Sequence, residues 1–359
     1  MDVMETFKMH KERIDKELNE YLMRKKQDAL KEKAFPVDFV DRIIEFNMRG
    51  GKRVRPALMV EGYKAVGGQD LDAIYKACIS IEVLEGYLLI HDDIMDQDEL
   101  RRGGPTIWKS YADIFEKEYK LKKANALKGG WDIGIVAGDV VETFAYDILA
   151  NSNFLPERRC EAINRLATVE RYTGFGQFLD YLTEVKPLEK VTEEEVLTVH
   201  KFKTAYYTIL GPLQIGMSLG GAKKETLEKI ADFGIPVGIA FQVYDDMLGL
   251  FGDEKKLGKP VGSDVKEGKR TLLILKAMEK GTESDRKKIK KILGKKNLTM
   301  EELEEIREIV RRTGSYDYSK NMVKTLTEKG KEALKSMDIS KESKEFLLGF
   351  SDWLISREV

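Results

Sequence analysis

The chain has 359 residues, 42% hydrophobic and 34% charged, with 61 Lys and Arg against 62 Asp and Glu for a net charge of −1. That length allows one large domain or two ordinary ones, and the apolar share can bury a real core, which excludes a disordered chain. The charge balance provides no whole-protein field for capturing nucleic acid or an anionic membrane, so charge-based recognition must be local.

The N-terminal stretch "MDVMETFKMHKERIDKELNEYL" is charged throughout and lacks the apolar run of a signal peptide. Its apolar positions Val3, Phe7, Ile14, Leu18 and Leu22 share one helical stripe, which ends before Pro36. A second helix carries Val37, Val40, Ile44 and Met48 up to Gly50-Gly51. Pro56 marks the start of a third, since its missing N–H costs nothing in a first turn, and Gly67-Gly68 closes it. Further helices are predicted over 70–99, 106–120, 132–150, 157–185, 192–219 and 223–250, then shorter amphipathic ones to the end. The polar piece "EKEYKLKKANALKGG" (116–130) reads as an exposed insertion. The simplest arrangement is one all-α domain over 1–359, built around the least polar helices, 70–99 and 223–250. No run approaches the roughly 18–20 apolar residues of a membrane span. Cys78 and Cys160 form no CxxC or Cys/His cluster, so a disulfide framework or zinc site is not expected and a reducing cytoplasm is.

Chemistry concentrates in "LLIHDDIMDQDELRRGGPT", residues 88–106. On a helix, Asp92 and Asp96 differ by roughly 40° and about 6 Å along the axis, so both carboxylates reach one point, with Asp93 beside them. Two bare carboxylates about 5 Å apart repel by about 3 kcal/mol at an effective dielectric near 20. One reading is a solvated helix end with local Asp–Arg pairs. The other is a hard-cation site, because magnesium takes one or two carboxylates together with phosphate oxygens. Arg101 and Arg102 would then bind the same phosphates.

A second cluster lies at 241–273, where an apolar helix, 230–244, runs into Asp245-Asp246 and is followed by Lys259, Lys269 and Arg270. Two such runs, each with basic residues behind it, suggest a phosphate clamp at one mouth above a deep apolar cavity, and so a diphosphate head with a hydrocarbon tail. "GGKRVRP" (50–56) puts Lys52 and Arg55 beside glycines that let backbone approach an anion, though alone it reads equally as a surface patch or a nucleic-acid contact. Lys203-Thr204 sits in an apolar helix, where a snorkelling lysine is the alternative. Neither GxxxxGK[ST] nor GxGxxG occurs.

In order, the chain shows Lys52/Arg55 in GKxxRP, Asp92–Asp96 in DDxxD followed by RRGxPT, Gly176-Gln177 with Asp180, Lys203-Thr204, Gln242 with Asp245-Asp246, and Lys259/Lys269. Over residues 35–355 this pattern resembles the trans-isoprenyl diphosphate (polyprenyl) synthases, and its wording most resembles archaeal short-chain farnesyl and geranylgeranyl enzymes. The resemblance implies the all-α isoprenoid synthase bundle around a deep central apolar cavity, usually as a homodimer. It implies head-to-tail condensation of isopentenyl diphosphate with an allylic diphosphate, with three magnesium ions once substrate is bound. Asp92, Asp93, Asp96, Asp245 and Asp246 are the expected metal-site residues. Lys52, Arg55 and Arg102 would hold isopentenyl diphosphate. Arg101, Lys203, Thr204, Gln242, Lys259 and Lys269 would surround the allylic partner, with Asp92, Asp96, Arg101, Lys203 and Lys259 acting in catalysis.

Two positions depart from the family pattern. Glu85 stands where relatives carry His or Gln that helps bind isopentenyl diphosphate, and Gly249 where a third Asp is common. A carboxylate cannot donate to phosphate, so Glu85 is expected to pair with Lys52 or Arg55 instead. Leu88 lies one turn below Asp92, and Leu84 one turn lower still, so both should line the hydrocarbon channel. Tyr87 holds the position of a size-limiting aromatic and acts from the side. Without an aromatic at position 88, products of farnesyl to geranylgeranyl length are expected. The rival readings are a terpene cyclase, which needs no second diphosphate site, and a catalytically weak subunit of a hetero-oligomeric synthase.

Overall fold

The structure, a computed structural model, describes residues 3–33, 35–252 and 261–356. It is helical almost throughout. In chain order come α1 (Val3–Ala29), α2 (Val37–Met48), α3 (Val54–Ala65), α4 (Leu71–Met95), a two-strand hairpin of β1 (Leu100–Arg101) and β2 (Gly104–Pro105), α5 (Ile107–Lys117), α6 (Lys123–Ala150) and α7 (Pro156–Val185). Then follow α8 (Glu193–Val199), a π-helical segment (His200–Leu210), α9 (Gly211–Leu219), α10 (Lys224–Lys229) and α11 (Ala231–Phe251). Helices over Ser263–Glu267, Leu272–Lys280, Glu283–Ile292, Met300–Arg312, Ser315–Lys335 and Lys341–Ser356 complete the described chain.

Two compact units emerge: an N-terminal unit of Asp2–Leu166 with Ile215–Gly221, and a C-terminal unit of Ala167–Gln214 with Ala222–Val359. In the N-terminal unit α4 is the central rod. Asp70 caps it by accepting from the Ala73 N–H, and residues on every side of it, from Ile74 to Ile90, are buried. A helix that is apolar all round is a core helix. It packs on α6, α3 and α1. The α6 face is small, with Ala126, Gly130, Gly134 and Gly138 at four-residue intervals. A Cβ on Gly138 would sit 2.2 Å from His91 Nε2, so only glycine admits that α4 side chain. Residues 116–125 are exposed, while Ala126 and Gly130 are buried.

In the C-terminal unit α11 is the corresponding rod, packed on the π-helical segment and on Ser315–Lys335. Val243, Met247 and Leu248 bury with Leu272, Leu273, Ile306 and Val323. Each such side chain contributes about 1.5–3 kcal/mol by leaving water.

Several helix limits differ from the sequence expectation, among them the helix expected over 132–150, which begins at Lys123. The helix expected over 70–99 stops at Met95, because Gln97 turns left-handed at φ 58 and the Asp98 N–H returns to the Asp93 carbonyl at 2.9 Å. The stretch 192–219 is not one α-helix but α8, a π segment and α9. The helix expected over 223–250 is divided into α10 and α11, and α11 runs to Phe251, since Met247, Leu248 and Leu250 are themselves buried. Asp245-Asp246 therefore lie inside α11, not at its tip.

Candidate active site

The N-terminal unit assembles its functional groups at the C-terminal end of α4. Asp96 is the C-cap and its N–H bonds the Asp92 carbonyl at 2.8 Å, so the two aspartates keep the one-turn spacing read from the sequence. Asp92 is 24% exposed, whereas Asp93 is 1% exposed. Arg101 bonds Asp93 Oδ1 through Nε at 2.6 Å and Asp98 Oδ2 through Nη2 at 3.1 Å. It lies 4.0 Å from Asp92. Burial pushes the Asp93 carboxyl up to about 7 even with Arg101 beside it. Arg101 thus pairs most closely with Asp93 and Asp98, while Asp92 and Asp96 are half-buried one turn apart on the same helix end.

Behind this cluster the hairpin turns on Arg102 (φ 50) and Gly103 (φ 79), the two left-handed positions of a tight two-residue loop. The Arg102 Nη2 donates to Glu85 Oε1 at 2.9 Å, and Arg55 Nη1 lies 3.1 Å from the same oxygen. Two guanidinium nitrogens within about 6 Å of each other repel by roughly 3 kcal/mol at an effective dielectric near 20, which the shared carboxylate offsets. Glu85 thus pairs with Arg55, one of its two expected partners, and also with Arg102. Lys52 is exposed, beside Arg53.

Sequence reasoning missed the residues that hold this loop. Arg53 is 3% exposed, takes a left-handed φ of 53, and is fixed by Glu82, by Asp15 at 2.7 Å and by the Asn47 carbonyl at 3.2 Å. Burial, with Glu85 one turn away, pushes the Glu82 carboxyl up. Arg49 reaches the Pro105 carbonyl at 2.8 Å and ties the hairpin to α2. No periodicity marks Arg53 as buried or Arg49 as a tie; only their partners, distant in sequence, do.

The C-terminal unit holds a polar pocket of about 150 Å³ whose lining includes Asp180, Lys203, Thr204, Gln242, Asp245, Asp246, Asp264 and Lys269. Lys203 and Thr204 lie in the π-helical segment, a distortion often found at functional sites. Gly176 lets α7 press against it, for a Cβ there would be 2.3 Å from Lys203 N. Lys203 Nζ donates to Asp180 Oδ2 at 2.7 Å. Thr204 Oγ1 donates to Gln242 Oε1 at 2.7 Å, and Gln242 Nε2 donates to Asp246 Oδ1 at 2.8 Å. His200 Nε2 stands 3.2 Å from Asp246 Oδ2. Asp245 is half-buried beside them. Lys269 pairs with Glu267 at 2.8 Å and lies 3.9 Å from Asp264. Lys259 lies outside the described residues.

Asp264 also bears on Gly249. A Cβ on Gly249 would meet Asp264 Oδ2 at 2.8 Å, so the carboxylate of Asp264 fills the space a third acid in this motif would use. The run "GSDVKEGKR" contained this acid, but only its basic residues Lys269 and Arg270 were singled out.

Among the described residues, no three His, Cys, Asp or Glu groups converge as a ready-made metal cage. Half-buried aspartates one turn apart, with cations nearby, suit magnesium, which completes its shell with water and phosphate oxygens instead of a full set of protein ligands. None of the helices described is long and apolar enough to cross a membrane.

Helix-borne aspartates, interleaved with fixed cations on an all-α scaffold, define an enzyme class that works on diphosphates. The chain belongs to the polyprenyl synthetase family, whose profile matches residues 37–310. The geranylgeranyl diphosphate synthase of Methanosarcina mazei is 37% identical over 86% of each chain. The geranylgeranyl diphosphate synthase of Saccharolobus solfataricus is 33% identical over 84% of each. The solved structure of geranylgeranyl pyrophosphate synthase from Corynebacterium glutamicum, complexed with isoprenyl diphosphate and magnesium, matches all of both chains with a TM-score of 0.90 at 29% identity. The all-α isoprenoid synthase fold expected from the motifs is therefore the fold observed.

Proposed function

We propose that the chain is a prenyltransferase that condenses isopentenyl diphosphate head-to-tail with an allylic diphosphate, releasing products of farnesyl to geranylgeranyl length. The observation that carries this reading is the polar pocket of the C-terminal unit, where Asp245 and Asp264 share a lining with Lys203 and Lys269. Carboxylates and cations interleaved around one small volume suit a metal-bound diphosphate. Relatives named as geranylgeranyl diphosphate synthases support the product class.

Asp92, Asp96 and Asp245 would hold magnesium, three ions in the loaded enzyme, which would supply Lewis-acid charge toward a departing diphosphate. Asp93 and Asp246, each already bonded to Arg101 or Gln242, orient those partners. Arg101, Lys203, Thr204, Gln242 and Lys269 stabilise charge on the leaving group as fixed dipoles and cations; Lys259, outside the described residues, is assigned the same role from its place in the sequence motif. Lys52, Arg55 and Arg102 hold isopentenyl diphosphate so that its double bond meets the allylic carbon as the C–O bond breaks, after which the condensed cation gives a proton to the departed diphosphate. Leu84, Leu88 and Tyr87 shelter the cation and hydrocarbon from water.

A homodimer belongs to the same proposal. Phe175, Phe178, Tyr181, Leu182 and Val185 are 45–65% exposed along α7, a contiguous apolar stripe of the kind that marks an interface. The test of function is labelled isopentenyl diphosphate with an allylic primer and magnesium, products sized. Elongation to farnesyl or geranylgeranyl length is expected. Pyrophosphate release without elongation would make it a cyclase, and no turnover a partner subunit.

A further inference from the structure

We infer that Glu85 is a positioning residue for isopentenyl diphosphate, holding Arg55 and Arg102 together as a ready anion fork instead of touching the diphosphate. The inference rests on the proposed assignment of Lys52, Arg55 and Arg102 to that substrate.

The two arginines come from separate elements, Arg55 from the first turn of α3 and Arg102 from the hairpin tip. Both converge on one oxygen, Glu85 Oε1, at 3.1 and 2.9 Å. Glu85 is 8% exposed, so this is an enclosed contact and not a solvent-screened surface pair. Gly51, at φ 116, takes a backbone conformation other residues rarely adopt and lies against the Arg102 guanidinium, a Cβ there being at contact distance, 3.4 Å from Nη1. One turn earlier on α4, Glu82 grips Arg53, the residue between Lys52 and Val54. The buried carboxylates of one helix thus anchor the loop and aim its cations.

Like charges held close before the ligand arrives need not be gathered on binding, which is how preorganisation raises affinity. The alternative, that Glu85 only places a negative charge near the phosphate, predicts the opposite sign. Removing a repelling charge would tighten isopentenyl diphosphate; removing a positioning group loosens it.

The experiment is steady-state kinetics on Glu85→Gln and Glu85→Asp, the second keeping the charge but shortening the reach. Both are expected to raise KM for isopentenyl diphosphate about tenfold, with kcat and the allylic KM held within about threefold. A KM for isopentenyl diphosphate that is unchanged or lower in either variant overturns the inference. So does an equal rise in both KM values, which would mean general loosening. Lys52→Ala is measured alongside. If it leaves the KM for isopentenyl diphosphate unchanged, the substrate assignment itself fails and Glu85 falls with it. If Lys52→Ala raises that KM and the Glu85 variants do not, only the role of Glu85 is lost.

Discussion

Gly174 and Gly176 stand two residues apart on α7 and should respond oppositely to the same substitution. A Cβ on Gly176 would lie 2.3 Å from Lys203 N, 2.7 Å from Lys203 Cα and 2.8 Å from Phe202 C, all backbone that cannot rotate aside. Ordinary carbon contacts need about 3.5 Å, so the π-helical segment must retreat by roughly 1 Å. Overpacking of this kind costs about 1–3 kcal/mol. The retreat also moves Lys203 and Thr204, and a displacement of about 1 Å at a positioned catalytic group can lower turnover about a hundredfold. Around Gly174 a Cβ meets nothing within 4 Å. Gly174→Ala is therefore expected to stabilise the helix by about 0.5–1 kcal/mol without changing turnover. Thermal melts and kcat/KM for the allylic substrate on the two variants decide the matter. If Gly176→Ala melts and turns over like wild type, the close approach of α7 is not what holds Lys203.

Other consequences are as direct. Asp285 is 1% exposed and accepts from Arg312 Nη1 at 2.9 Å while capping its own helix through Thr282. Hydrogen bonds from Arg312 lower its carboxyl to about 2. Its stabilising contribution is then complete above its ordinary value near 3.8 and disappears as pH falls toward about 2. Asp285→Asn should lose about 1–3 kcal/mol at neutral pH, and denaturant melts should show wild type and variant converging in strong acid. The Tyr87 ring packs edge-on to His91 with centroids 4.9 Å apart, on a different side of α4 from Asp92. Tyr87→Ala should lengthen the main product by one isoprene unit or more, read by chromatography of the dephosphorylated prenols; unchanged products would remove Tyr87 from length control. Phe178, 65% exposed, should anchor the dimer, so Phe178→Asp is expected to raise the dimer Kd at least about a hundredfold in sedimentation. A variant that sediments as wild type would place the interface elsewhere.

What could be read from the sequence was what is local. The spacing of Asp92 and Asp96 is a property of one helical turn, and it survived although the helix ends at Met95. The apolar patterning gave the all-α class and the two central rods. Features that depend on distant partners were hidden. Arg53 looks like any basic loop residue, yet Glu82 and Asp15 bury it. Glu85 was legible as a departure, and its pairing with Arg55 was expected, but nothing local told that Arg102 would return to it across the hairpin. Gly249 read as a missing acid, and only the fold puts Asp264 over it. The π-helical distortion at Lys203 has no composition signal, and neither do Gly176 and Gly238 announce that they admit its backbone where other residues would not.

The claim on which the account turns is that Asp92 and Asp245 are each needed to bind a magnesium-bound allylic diphosphate. The measurement is binding of a non-cleavable allylic diphosphate analogue, with and without magnesium, to wild type, Asp92→Asn and Asp245→Asn. Each substitution is predicted to weaken magnesium-dependent binding about a hundredfold. A variant that binds like wild type, or binding that ignores magnesium, would contradict it.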